Sequence, residues 1–94
     1  MTKAEARQTI DGLGLPAVQA GAAHRTIGRA TTSENIEIST SSSGDLLIKR
    51  TRPGHIGFQV FEDTIASDGR KQVVQKAYDA AGNLVHDDPK GGTP

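Results

Sequence analysis

"LLIKRTRPGHIGFQVFEDTI", residues 46–65, decides how this chain folds. Two runs of β-prone residues flank a Pro-Gly turn, the pattern of two antiparallel strands joined by a hairpin. Strand alternation sorts the side chains between two faces: Leu46, Ile48, Arg50 and Arg52 on one, Leu47, Lys49 and Thr51 on the other. After the turn, Ile56, Phe58 and Val60 oppose Gln59 and Phe61. Both faces are partly apolar, so one is expected to hold helices and the other to form a half-polar cleft or a partner surface.

The pattern continues on either side. "NIEIST" (35–40) alternates and "SSSGD" turns the chain before residue 46, while "ASDGRK" leads into "QVVQKAY" and "DAAGN" into "LVH". Four turn signals between β-prone runs describe an antiparallel meander, not βαβ units. The first third reads as helix. Thr2 with Glu5 forms a capping box ahead of Ala4, Ala6, Ile10 and Leu13, and "DGLGLP" ends that run. Pro16 suits the first turn of a second helix, "PAVQAGAAHRTIGRAT", which carries His24, Arg25 and Arg29. The expected fold is α+β: one or two N-terminal helices packed on a four- to five-stranded antiparallel β-meander. Residues 1–94 form a single domain, helical over 1–32 and sheet over 33–86, with 87–94 as a loose tail.

Composition narrows the function classes. The chain is 34% hydrophobic with only Phe58, Phe61 and Tyr78 as aromatics, so the core is thin. The absence of cysteine excludes disulfides and thiolate metal sites. No apolar run approaches ~18 residues, so no membrane anchor is expected, and "MTKAEARQTI" has no signal peptide's apolar centre. Net charge is zero, which argues against coating nucleic acid through bulk electrostatics. The charge is unevenly spread, with four cations and six anions over 62–94 but three cations within 49–52. Phosphate, if bound, is bound at a site.

His24, His55 and His86 stand apart from other ligand types, so no metal site and no cofactor is expected; "HDDP" (86–89) offers only Asp87 and Asp88 as cation ligands. Neighbouring carboxylates, Glu62 with Asp63 and Asp87 with Asp88, point opposite ways on a strand and suit no two-carboxylate hydrolase. What remains is the residue set of metal-independent RNA cleavage. That reaction needs a base for the 2′-hydroxyl, an acid for the departing 5′-oxygen, and cations around the phosphorane. His24 is the candidate base or acid. Arg50 and Arg52 are the candidate stabilisers of phosphate charge. Thr51 and His55 complete the catalytic candidates, and Lys49, Arg25 and Gln59 are candidates for substrate binding. Competing structural roles exist: a solvated strand end that blocks sheet-to-sheet pairing for Lys49–Arg52, and a helix C-terminal cap for His24.

Two resemblances add to this. "AYDAAGNL" (77–84) resembles the YD-type hairpin of RHS repeat proteins, which build large bacterial toxin-delivery shells. The order of helices followed by a meander with "DG" and "AGN" turns resembles C-terminal toxin domains of bacterial polymorphic and contact-dependent growth inhibition systems. Many of those are ribonucleases of the barnase/EndoU/colicin/RelE-like fold. That resemblance implies RNA, above all tRNA, as substrate, a cognate immunity protein as partner, and secretion within a larger effector for delivery to a target cell's cytoplasm. The alternative is a non-enzymatic, cytoplasmic protein-binding module, such as an immunity protein or a β-rich adaptor. Zero net charge and the acidic tail favour it. A third reading, a fragment of an RHS-like shell, rests on the hairpin motif alone.

Overall fold

The computed structural model describes residues 1–32, 34–54 and 56–93, with side chains described as far as His86. Within them, two helices precede a five-stranded antiparallel sheet, an α+β arrangement. The first helix, α1, spans Lys3–Gly12. Its capping box forms as the sequence leads one to expect. The Glu5 N–H donates to the Thr2 hydroxyl at 3.2 Å, and the Thr2 N–H donates to Glu5 Oε1 at 2.9 Å. Ala6 and Ile10, one turn apart, are its buried residues. The second helix, α2, spans Ala17–Gly28 behind Pro16 and buries Gln19, Ala22, Ala23, Thr26 and Ile27, a stripe at helical spacing. Buried Gln19 donates from Nε2 to the Ile65 and Gly44 carbonyls, both at 2.9 Å, tying α2 to the hairpin ends beneath it.

The strands are β1 (Asn35–Thr40), β2 (Leu46–Pro53), β3 (Phe58–Ile65), β4 (Lys71–Tyr78) and β5 (Leu84–Thr93), in that spatial order. Leu46 opposes Ile65, Ile48 opposes Asp63, Arg50 opposes Phe61 and Arg52 opposes Gln59. One face therefore carries Ile36, Ile38, Leu46, Ile48 and Ile65, and the helices cover it. Ile36, Leu46, Ile48 and Ile65 pack against Ala6, Ile10, Ala22, Ala23, Ile27 and Ala30. Fully burying each of these large aliphatic side chains is worth about 1.5–3 kcal/mol, and the alanines let the helix backbones come close. This face, the helix face, also carries Arg50 and Arg52; Lys49 and Thr51 lie on the opposite, open face.

The chain end departs from the sequence reading. The stretch 87–94, expected to be a loose tail, instead continues β5 as far as Thr93, which pairs with Lys71. Pro89 and the Gly91–Gly92 pair weaken the strand signal, but an edge strand tolerates proline because only one of its sides needs hydrogen bonds. Gly57 is required by close approach: a Cβ there would stand 2.0 Å from the Tyr78 carbonyl oxygen.

Candidate functional site

The helices leave part of their own face bare. α1 lies along β1 and α2 over β3, and the packed core ends at Ile48 and Ile65. Beyond it, Arg52, Gln59, Ala77 and His86 stand in one cross-strand row over β2, β3, β4 and β5. The next row towards the core holds Arg50, Phe61 and Gln75. Arg52 donates from Nε and Nη2 to Gln59 Oε1 at 3.1 and 2.9 Å. These contacts use one edge of the guanidinium and leave Nη1 free of them. The guanidinium carbons of Arg50 and Arg52 lie 4.9 and 4.8 Å from the Phe61 ring centroid, a cation–π arrangement that fixes both side chains over one aromatic.

His86 reaches this row through an irregularity. Tyr78 pairs with Leu84 and Ala77 with His86, so Val85 is the extra residue of a β-bulge. In an unbroken ladder His86 would oppose Lys76 and point to the open face. The bulge shifts it by one and brings it to the Arg52 side. It is exposed, two strand spacings (about 10 Å) from Gln59, with only the small Ala77 between them.

Arg50 has a different setting. Its Nε donates to Asp63 Oδ2 at 3.0 Å, and its Nη1 lies 3.7 Å from Glu34 Oε1. The Arg50 side chain is 12% exposed and both acids 1%. Glu34 is fixed in turn by the Thr31 N–H, which donates to its other oxygen. Arg50 thus shares its one charge between two buried carboxylates and lies over Phe61, and has little left to offer a ligand. Lys71, on the same face, donates to the Thr26 hydroxyl at 3.2 Å. Burial holds its ammonium below the ordinary lysine range; the Asp63 carboxylate opposes that, and the guanidiniums of Arg29, Arg50 and Arg25 add to it.

The remaining sequence candidates fall elsewhere. His24 sits in the helical layer with both ring nitrogens taken by α1: Nε2 lies 2.9 Å from Asp11 Oδ1 and Nδ1 3.1 Å from Arg7 Nη1. Arg7 can only donate, so Nδ1 accepts and Nε2–H donates, leaving no ring nitrogen for a substrate. His24 clamps α1 to α2. Lys49 and Thr51 project to the open face, where Lys49 lies 3.8 Å from Glu37 and Lys76 3.1 Å from Glu62. Arg25 is exposed on α2. His55 lies outside the described residues, as do the side chains of Asp87 and Asp88. Among the described residues, no three His, Cys, Asp or Glu side chains gather closely enough to hold a metal ion, and no helix is long and apolar enough to cross a membrane.

No family model, no curated protein and no solved structure matches this chain. The site is therefore read from its own chemistry. Of the eight sequence candidates, the uncovered helix face brings together Arg50, Arg52 and Gln59. It adds Phe61, His86 and, nearer α2, Lys71. Alternation shows Phe61 on the Gln59 side of its strand. Nothing in the sequence marks the Val85 bulge, which decides the side taken by His86.

On the open face, Phe58 and Tyr78 stack with centroids 4.8 Å apart and planes 13° from parallel. Beside that pair, Ile56 and Leu84 are 78% and 51% exposed. The open face is thus apolar at one end and carries its lysines as neutral pairs.

Proposed function

We propose that this chain is a metal-independent RNA endonuclease acting on the uncovered part of the helix face, as the toxin domain of a larger secreted effector. One observation carries the reading: an imidazole, His86, and a partly unengaged guanidinium, Arg52, lie in one cross-strand row on one face, with Gln59, which Arg52 holds, and the small Ala77 between them. Arg52 and Gln59 hold the scissile phosphate, with the Arg52 Nη1 edge turned to its oxygens. The substrate's 2′-oxygen attacks phosphorus and the bond to the 5′-oxygen breaks, giving a 2′,3′-cyclic phosphate and a free 5′-hydroxyl. The 2′-hydroxyl loses its proton and the 5′-oxygen gains one. His86 carries one of these two transfers, and solvent water carries the other. The substrate class is tRNA in the cytoplasm of a target bacterium, and a cognate immunity protein covers the site in the producing cell.

The test is expression of wild type and His86→Ala in bacteria, with growth and RNA integrity followed, and cleavage of purified RNA in the presence of a chelator. His86→Ala should cut RNA about a hundredfold more slowly, the usual worth of one acid–base group. His24→Ala should retain the wild-type rate per folded molecule. Equal cleavage by wild type and His86→Ala would remove His86 from the mechanism, and intact RNA with wild type would overturn the endonuclease reading.

A second reading, a protein-binding module, draws on the exposed apolar end of the open face at Ile56, Phe58, Tyr78 and Leu84. It requires a stable complex with a protein partner that is lost in Ile56→Asp/Leu84→Asp, and no RNA cleavage by the free chain.

A further inference from the structure

Where Thr26 of α2 meets Lys71 of β4, positive charge gathers without an equal number of counter-charges among the described residues. Lys71 rises from the start of β4 and its ammonium meets no carboxylate of the described residues at ion-pair distance; it donates to the hydroxyl of fully buried Thr26. That hydroxyl already donates to the Ala22 carbonyl at 3.0 Å, so it can only accept from Lys71 and its position is set by the helix. Arg29 follows Thr26 by three residues and Arg25 by four, so Thr26 and Arg29 are neighbours on the helix surface, as are Arg25 and Arg29. Both arginines are exposed, and neither makes a side-chain hydrogen bond or ion pair with the described residues. The carboxylate whose charge acts on Lys71, Asp63, is fully buried and engaged by Arg50 through Oδ2. A half-buried ammonium with guanidiniums around it is disfavoured by desolvation and by like-charge repulsion, and a bound anion relieves both.

We infer that Lys71, Arg29 and Arg25 form a phosphate subsite that takes a backbone phosphate of single-stranded RNA away from the scissile bond. The inference rests on the endonuclease reading for its ligand, and the spacing suits it. Lys71 and Ala77 are six residues apart on one strand, so the subsite and the Arg52–His86 row are about 20 Å apart along the same face. A dinucleotide cannot span that distance, whereas a longer strand held at Arg52 passes the edge of α2. The planar forks of Arg25 and Arg29 suit phosphate oxygens, and Lys71 supplies a fixed point charge beside them.

The experiment compares wild type with Arg29→Ala and with Arg29→Ala/Lys71→Met on a long single-stranded RNA and on a dinucleotide. It records kcat/KM for each substrate and, with a non-cleavable 2′-deoxy-substituted long strand, binding as a function of salt. Arg29 is exposed, so its single variant reports on binding without a change in folding. The expected result is about a tenfold fall in the ratio of long-strand to dinucleotide kcat/KM, with the slope of log affinity against log salt flattened by about 0.7 in the double variant. An unchanged ratio and slope would overturn the subsite while leaving the cleavage row intact. An equal loss on both substrates would also overturn it, by making these residues part of the cleavage site. Should wild type bind the long strand without cutting any RNA, a flattened slope in the double variant would support the subsite and the endonuclease reading would fall alone.

Discussion

At Asp63 the chain places a carboxylate, fully buried, in the middle of the sheet. It sits on β3 between Arg50 of β2 and Lys71 of β4, with one oxygen 3.0 Å from Arg50 Nε and the other without a hydrogen-bond partner among the described residues. The same residue therefore holds Arg50 against Phe61 and offsets the charge gathered near Lys71. Removing one member of a buried ion pair leaves the other uncompensated, whereas replacing both by apolar groups is often neutral. Asp63→Leu is expected to lose about 3–5 kcal/mol in urea unfolding, and Glu34→Gln/Arg50→Met/Asp63→Leu, which removes both carboxylates together with their cation, to recover most of it. Equal losses in the single and triple variants would show that the three groups are not coupled. His24 makes a comparable point without burial. In sequence it is the natural acid–base candidate, yet its two ring contacts engage α1 alone, and which residues of the preceding helix face it depends on how the two helices pack, which local pattern does not carry.

At the scale of the element, each helix and strand forms for reasons visible in its own residues, and α1 shows them most directly. The Glu5 carboxylate is held below the usual carboxylate range, first by the Thr2 backbone N–H and then by the Thr2 side chain. A depressed acid contributes stability that is present above its unfolded value near 4.5 and lost as pH falls through the lower folded value. Thr2→Ala should cost about 1 kcal/mol near neutral pH, and the gap to wild type should narrow in acid, as measured by thermal unfolding at a series of pH values. A gap that stays constant down to strong acid would mean that the Thr2 side chain adds nothing to the stabilisation of the Glu5 carboxylate. The elements were legible because capping box, alternation and turn chemistry are local, and their local choices agree with the fold. Relations between elements were legible only where parity carries them. Arg50 and Arg52 share a face with Leu46 and Ile48 as alternation requires. From β2 to β5, however, parity must survive three hairpins, and the one extra residue at Val85 reverses it for His86.

For the molecule as a whole, the core is small and lopsided. Its fully buried large aliphatics are Ile10 and Ile27 of the helices and Ile36, Leu46, Ile48 and Ile65 of β1 to β3, all in the one layer between helices and sheet. The packed core does not include β4 and β5, so that half of the sheet depends more on backbone pairing and on its neighbours' side chains. A domain of this size has a narrow stability margin, so the ladder between β4 and β5 carries weight out of proportion to its buried area. Gln75, Lys76 and Ala77 pair with residues 88, 87 and 86, and Lys71 with Thr93. Deleting residues 87–94 would keep His86 in the sequence but strip β4 of most of its partner. The loss is expected to lower Tm by roughly 10 °C, equivalent to about 2 kcal/mol in a domain of this length. It should also remove hydrogen-exchange protection from β4 amides facing β5 while leaving β2 amides protected. Cleavage should then fall with the ordering of the Arg52–His86 row, even though both residues remain. An unchanged Tm with unprotected β4 amides in the full-length chain would show that β5 beyond His86 lies outside the cooperative unit, and the row would then have to be held by the Val85 bulge and the Tyr78–Leu84 pair alone.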